Sequence, residues 1–178
     1  MRTYDEPGRP VPVVEEADVF VAGGGPAGVV AAIAAARLGA RTCLVDAAGC
    51  LGGMWTAGAL GWIIDAANKP GIMREIIVEL DRRGARYRPP AIKTIDIAAG
   101  AAGARDFAYD PEELKLVLEE MCARAGVCLQ LHTRVVDAAV DAQQRLTLAL
   151  TESKSGREAW AAKVFIDATG DGDLAARA

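Results

Sequence analysis

Three glycines in the arrangement Gly23-x-Gly25-x-x-Gly28 are the residues of this 178-residue chain best placed to hold a ligand. An apolar run, Val19 to Ala22, precedes them, and an alanine-rich stretch follows. A strand, a glycine turn and a helix in that order bind the pyrophosphate of a dinucleotide. Gly23 allows the tight turn, Gly25 admits the pyrophosphate to the backbone, and Gly28 lets the helix pack closely on the sheet. The exposed N–H groups of the segment Gly23, Gly24, Gly25, Pro26, Ala27, Gly28 and the positive end of the helix dipole then face the phosphates. Pro26 falls in the first helical turn, where its missing N–H costs little.

Further residues along the chain carry chemistry of their own. Asp46 closes a second apolar run, about 20 residues after the glycine turn. An acid there accepts hydrogen bonds from both ribose hydroxyls of an adenosine and repels a 2′-phosphate, which argues against NADP. Its other reading is a strand-terminal Asp that caps the next turn. Residues 47–61 form a second glycine-rich stretch, open to two readings: a backbone approach to a larger part of the ligand, or a structural turn. Ala168-Thr169-Gly170 ends a late apolar strand with small residues that permit close approach to the first turn. Cys50 lies in the second glycine-rich stretch, either as a redox thiol or as loop packing; it has no partner cysteine nearby in sequence. The chain has one histidine, His132, and four cysteines without a CxxC pair, so no zinc or iron–sulfur site is expected.

The elements that must position these residues follow from pattern. A strand over Val19–Ala22, a helix from Pro26 to Leu38 stopped by Gly39, and a strand over Arg41–Asp46 make a βαβ unit. Ile72, Met73, Ile76, Ile77 and Leu80 share one helical face, closed by Gly84. Asp110 and Pro111 start a further helix, whose buried stripe is Leu114, Val117, Leu118, Met121 and Ala125. Val127–Leu131 reads as a strand, and residues 135–165 as a three-stranded antiparallel meander between two parallel strands. Cys43 and Cys128 are expected in buried strands and Cys122 on a helix. Residues 1–17 read as an arm laid against the domain edge. Residues 84–106, with Pro89, Pro90 and a small-residue run from Ala98 to Ala104, read as a loop or the start of an insertion. Arg82, Arg83, Arg86 and Arg88 read either as contacts for an anionic substrate or as a solvated helix end.

An apolar share of 52% and a charged share of 25% describe an ordinary globular chain. A net charge of −4 leaves no basic footprint for nucleic acid or an anionic membrane. No apolar stretch reaches the ~20 residues of a membrane span. The first ten residues lack the plan of a secretory signal, so the expected location is cytoplasmic.

Asp18 to Gly28, the strand ending in Asp46, and Leu51-Gly-Gly-Met-Trp-Thr56 together resemble the N-terminal half of a FAD-dependent oxidoreductase. More narrowly, they resemble the glutathione-reductase-type FAD fold in its fumarate-reductase-like branch. Asp46 stands where that family more often has Glu. Ala168-Thr169-Gly170 matches the second FAD signature. The resemblance implies an α/β fold: a Rossmann-type FAD-binding domain over residues 18–178, with an antiparallel β-meander crossover and a partial substrate lobe that begins within 62–110. It implies FAD as cofactor, held by Gly23 to Gly28, Asp46, Ala47, Gly52, Gly53, Met54, Thr56, Val135 and Ala168 to Gly170. Val135 would pass beside the adenine, with His132 on the same side and far from the flavin ring. Trp55, Trp62 and Met54 would wall the flavin pocket, with core packing the equal alternative for Trp62.

The resemblance further implies hydride transfer between a small molecule and flavin N5, with a homodimer or a second chain as partner. Relatives continue well beyond position 178, so the chain is expected to be a fragment, a truncated product or one half of a split enzyme. The competing expectation is a nucleotide-binding module without catalysis, completed by another chain.

Overall fold

The computed structural model describes residues 2–4, 7–64, 66, 69–87 and 107–178. At its centre is a six-stranded sheet. Its strands are β1 (Val13–Ala22), β2 (Thr42–Val45), β6 (Cys128–Gln130), β7 (Arg134–Val140), β8 (Leu146–Ser153) and β9 (Gly156–Asp167). The order across the sheet is β6-β2-β1-β9-β8-β7. Pairing is parallel from β6 through β2 and β1 to β9, and antiparallel from β9 through β8 to β7. A three-stranded sheet holds β3 (Trp62–Ile63), β4 (Arg86–Tyr87) and β5 (Phe107–Tyr109) in the order β3-β5-β4.

The apolar runs in β1 and β2 arise because both faces of these strands are covered, as parallel strands require. On one face lie the helices α1 (Pro26–Arg37), α2 (Ile72–Arg82) and α3 (Pro111–Ala125). There Val21 and Leu44 pack with Val29, Ile33, Ile76, Ile77, Leu80, Leu114 and Leu118, all at most 1% exposed. On the other face Phe20, Ala22, Cys43 and Val45 meet Val135, Trp160 and Leu174. The Phe20 ring lies 5.7 Å from Trp160 and 5.9 Å from Phe165, centroid to centroid.

The helices start and stop where their sequences say. Pro26 occupies the first position of α1. Gly39, at φ +89°, lets the chain turn out of it while its N–H reaches the Ala36 carbonyl at 2.9 Å. The Asp110 carboxylate accepts the Glu112 N–H at 2.9 Å to cap α3, and Gly126 ends that helix in the left-handed region. Helix α2 belongs to the main core. Its three buried side chains, Ile76, Ile77 and Leu80, each stabilise the fold by about 1.5–3 kcal/mol over exposure.

Three local expectations change. Strand β1 starts at Val13, six residues before Val19, because the length of β9 gives it a partner: Val13 pairs with Ala159 and Ala17 with Ala162. Val13–Ala17 of the expected arm are therefore sheet. The third meander strand and the closing parallel strand are one strand, β9, antiparallel to β8 in its first half and parallel to β1 through most of its length. Cys128 is exposed, because β6 is the sheet's edge; Cys43, its register partner on β2, is buried. The expected loop at Pro89, Pro90 and Ala98 to Ala104, and Arg88, lie outside the described residues.

Candidate functional site

Parallel pairing of β2, β1 and β9 brings their C-terminal ends together, where ligands of open α/β sheets bind. Gly23 follows β1 with φ +98°, and a Cβ there would stand 2.4 Å from the Ala168 carbonyl oxygen. The Ala168 N–H in turn donates to the Ala22 carbonyl at 2.8 Å. A Cβ on Gly28 would fall 1.8 Å from the Gly23 carbonyl oxygen. Only glycine fits either position. Gly24 is similarly enclosed, by the Leu51 side chain and by Asp46. Gly25 differs from all three: nothing lies within 4 Å of a Cβ built there. Backbone at Gly25 is thus open to an approaching group at the start of α1. That helix carries no side-chain cap and no acid in its first turn, so its N-terminal dipole is left for an anion.

Beside this turn a cleft of about 250 Å³ is lined by Gly23, Val45, Asp46, Ala47, Thr133, Arg134, Val135, Thr169, Asp171 and Asp173. The Asp46 carboxylate accepts the Gly24 N–H on one oxygen and the Ala48 N–H, at 2.6 Å, on the other. The turn-capping reading of this residue therefore holds. It caps its own turn, and it fastens the glycine turn, yet an ionised carboxylate has about four acceptor sites. Acceptor capacity therefore remains beyond these two bonds. Thr169 contributes backbone to the cleft, since its hydroxyl is engaged by Asp167 at 2.7 Å and by the Asp173 N–H at 2.8 Å. Burial pushes the Asp167 carboxyl up, but bonds from the N–H groups of Ala175, Thr169 and Leu174 and from the Thr169 hydroxyl outweigh it and hold the pKa below its usual range. Asp167 thereby fixes the turn after β9 at neutral pH.

The second glycine-rich stretch lies against the first. The Gly52 N–H donates to the Gly24 carbonyl at 2.7 Å, and a Cβ on Gly53 would be 3.0 Å from the Gly25 Cα. Met54 is 62% exposed, whereas Thr56 is buried and donates to the Leu51 carbonyl. Trp55 packs on the main core. The half-buried Cys50 has its sulfur 3.9 Å from the Thr56 hydroxyl, a packing contact within the loop. His132 does not line the cleft; its ring lies over Gly49, where a Cβ would come within 2.5 Å of the ring.

The arginines of α2 and β4 engage acids. Arg82 reaches Glu79 at 2.9 Å, Arg83 reaches Glu113 at 3.1 Å and Glu120 at 2.7 Å, and Arg86 pairs with Asp81 beneath the Phe107 ring. Arg83 ties the end of α2 to α3, and Arg86 ties β4 to α2 and β5. Sequence reasoning missed Val45, Thr133, Arg134, Asp171 and Asp173 as cleft residues. The repeat Gly170-Asp171-Gly172-Asp173 was a readable signal for the last two; Thr133 and Arg134 carried none.

Sheet topology, glycine turn and acid at the end of β2 define the class: a Rossmann-type dinucleotide-binding protein. Among described residues no cluster of His, Cys, Asp and Glu could hold a metal ion. The sequence model of the FAD dependent oxidoreductase family matches residues 18–178, and the chain belongs to that family. A search of curated protein sequences finds no match.

Among solved structures, the chain is similar to THI4 of Thermovibrio ammonificans, with 24% identity, a TM-score of 0.63, and coverage of 91% of this chain and 61% of that one. It is also similar to a geranylgeranyl bacteriochlorophyll reductase-like protein of Thermoplasma acidophilum, with 20% identity, a TM-score of 0.64, and coverage of 92% and 42%. A flavocytochrome c3 fumarate reductase is similar with 19% identity and a TM-score of 0.59, over 87% of this chain and 34% of that one. These likenesses show the fold. The chain spans less than two thirds of the length of each of these three structures.

Proposed function

We propose that this chain is the FAD-binding portion of a flavin-dependent oxidoreductase that moves a hydride between a small molecule and flavin N5. Bound FAD would supply the hydride acceptor; the protein's part is to bind and orient it. One observation carries the reading: Gly25 alone of the first turn's glycines faces open space, at an uncapped helix start beside the Asp46 cleft. In this reading Gly23, Gly24, Gly25, Pro26, Ala27 and Gly28 hold the pyrophosphate, and Asp46 orients the ribose. Ala47 and Val135 flank the adenine. Ala168, Thr169 and Gly170 close the cradle, and Gly52, Gly53, Met54 and Thr56 serve the flavin half. Residues 62–110 open the substrate domain, and either a second copy or another chain is the partner. Among described residues no helix is long and apolar enough to cross a membrane; a cytoplasmic location is part of the proposal.

Purified protein titrated with FAD, FMN and NAD tests this reading. The expected result is flavin absorbance retained with FAD and tighter binding than either alternative, with bleaching on addition of a reductant. Failure to bind FAD would overturn it.

A further inference from the structure

Residues 107–109 belong to the part of the sequence that reads as insertion, yet Tyr109 grips the second glycine-rich loop at two points. Its N–H donates to the Gly61 carbonyl at 3.2 Å, and its hydroxyl donates to the Trp55 carbonyl at 2.7 Å. Between those points the loop folds on itself through bonds from Thr56 and Gly58 to the Gly53 carbonyl and from Leu60 to the Met54 carbonyl. Its start is tied to the Gly24 carbonyl by the Gly52 N–H. Tyr109 is thus the outer anchor of a segment whose inner anchor is the first glycine turn.

We infer that Tyr109 is a positioning residue for the flavin half of the cofactor: through the Trp55 carbonyl it holds Gly52–Trp55 beside the start of α1. The inference rests on the FAD reading above. Tyr109 itself is 2% exposed, with its ring 6.1 Å from Phe107 in edge-on contact. Burial pushes its phenol up to about 12, so the hydroxyl remains a donor throughout the neutral range. Strand β5 is held in turn, since the adjoining Asp110 N–H donates to the Ala85 carbonyl at 2.8 Å behind α2. A chain of contacts therefore runs from the end of α2 through β5 to the loop.

This assignment separates the two halves of the cofactor, which gives the test. Tyr109→Phe keeps the ring and its packing and removes one hydroxyl. FAD and ADP affinities of the wild-type chain and the variant are measured by titration, together with the thermal midpoint. The expected result is FAD binding weakened about fivefold, the worth of a single hydrogen bond, with ADP affinity unchanged. Oxidised-flavin absorbance in the variant shifts toward that of free FAD. Equal weakening of FAD and ADP would reduce Tyr109 to a general stabiliser and overturn the inference, as would unchanged FAD affinity. Thr56→Val supplies a second measurement, because it loosens the same loop from within at Leu51; it must also weaken FAD more than ADP. A wild-type chain that binds ADP but no FAD would sink the parent reading instead.

Discussion

The two glycine-rich segments meet at Gly24 and Gly25, yet they are held in place differently. Around Gly23 and Gly28, backbone lies on backbone, at separations that no Cβ could enter. From Gly52 to Gly61 the backbone's own bonds are supplemented by hydroxyls, those of Thr56 and Tyr109, that reach carbonyls along the loop. Missing side chains specify the first segment, and a distant side chain completes the second. The first is consequently intolerant of a Cβ at Gly23 or Gly28, while the second should loosen by degrees as its hydroxyls are removed.

The largest effect expected from this difference is at Gly28. Gly28→Ala sets a methyl against the Gly23 carbonyl and should cost more than about 4 kcal/mol, enough to lose cooperative unfolding in a thermal melt. Gly25→Ala should break function without breaking the fold. Its methyl enters open space, so stability falls by about 1 kcal/mol or less, while FAD affinity falls about 10- to 100-fold by titration as charge-assisted N–H contacts are lost. A large drop in melting temperature for Gly25→Ala would erase the distinction between the two glycines.

Asp46→Asn joins both segments in one test, since it turns an amide N–H₂ toward one of the Gly24 and Ala48 donors. Denaturant unfolding should show a loss of about 2 kcal/mol, with FAD affinity reduced as well. Thr56→Val acts on the second segment alone and should cost about 1 kcal/mol, with Thr56→Ser nearly neutral.

The smallest effect lies midway along the strand that delivers the first segment. There Lys163 at 2.7 Å and the Arg41 N–H at 2.9 Å hold the Asp18 carboxyl near a pKa of about 2, below its ordinary 3.8. A lowered folded pKa contributes stability that is present above 3.8 and lost as pH falls toward 2. Asp18→Asn should therefore flatten the decline of melting temperature within that window and lower the melting temperature slightly at neutral pH, where the exposed ion pair's small contribution is present in the wild-type chain.

Much of the first segment was legible in sequence because its determinants are adjacent: a strand, three spaced glycines, an alanine-rich helix and an acid at the end of the next strand. The second was legible as composition only. Nothing local to Leu51–Thr56 announces Tyr109, which arrives after a long excursion and acts through a single hydroxyl. Strand β9 was misjudged for a related reason. Its alternation in the first half and apolar run in the second mimic two strands, whereas the change of pattern marks the end of β8 as neighbour on one edge while β1 continues on the other. Cys128 looked buried because an apolar run hides which strand lies at the sheet's margin.

The register of β9 against β1 also sets an order of events in time. Val21 pairs with Ile166 and Ala22 with Asp167, so the Gly23–Ala168 contact joins the first and last strands of the main sheet. Closing so long a stretch of chain is entropically costly and slow compared with forming the local βαβ unit. During synthesis the cradle cannot exist until Ala168 has left the ribosome. Cofactor capture then becomes a marker of completed topology. In refolding experiments, quenching of FAD fluorescence should follow the slowest change in tryptophan emission and never precede it.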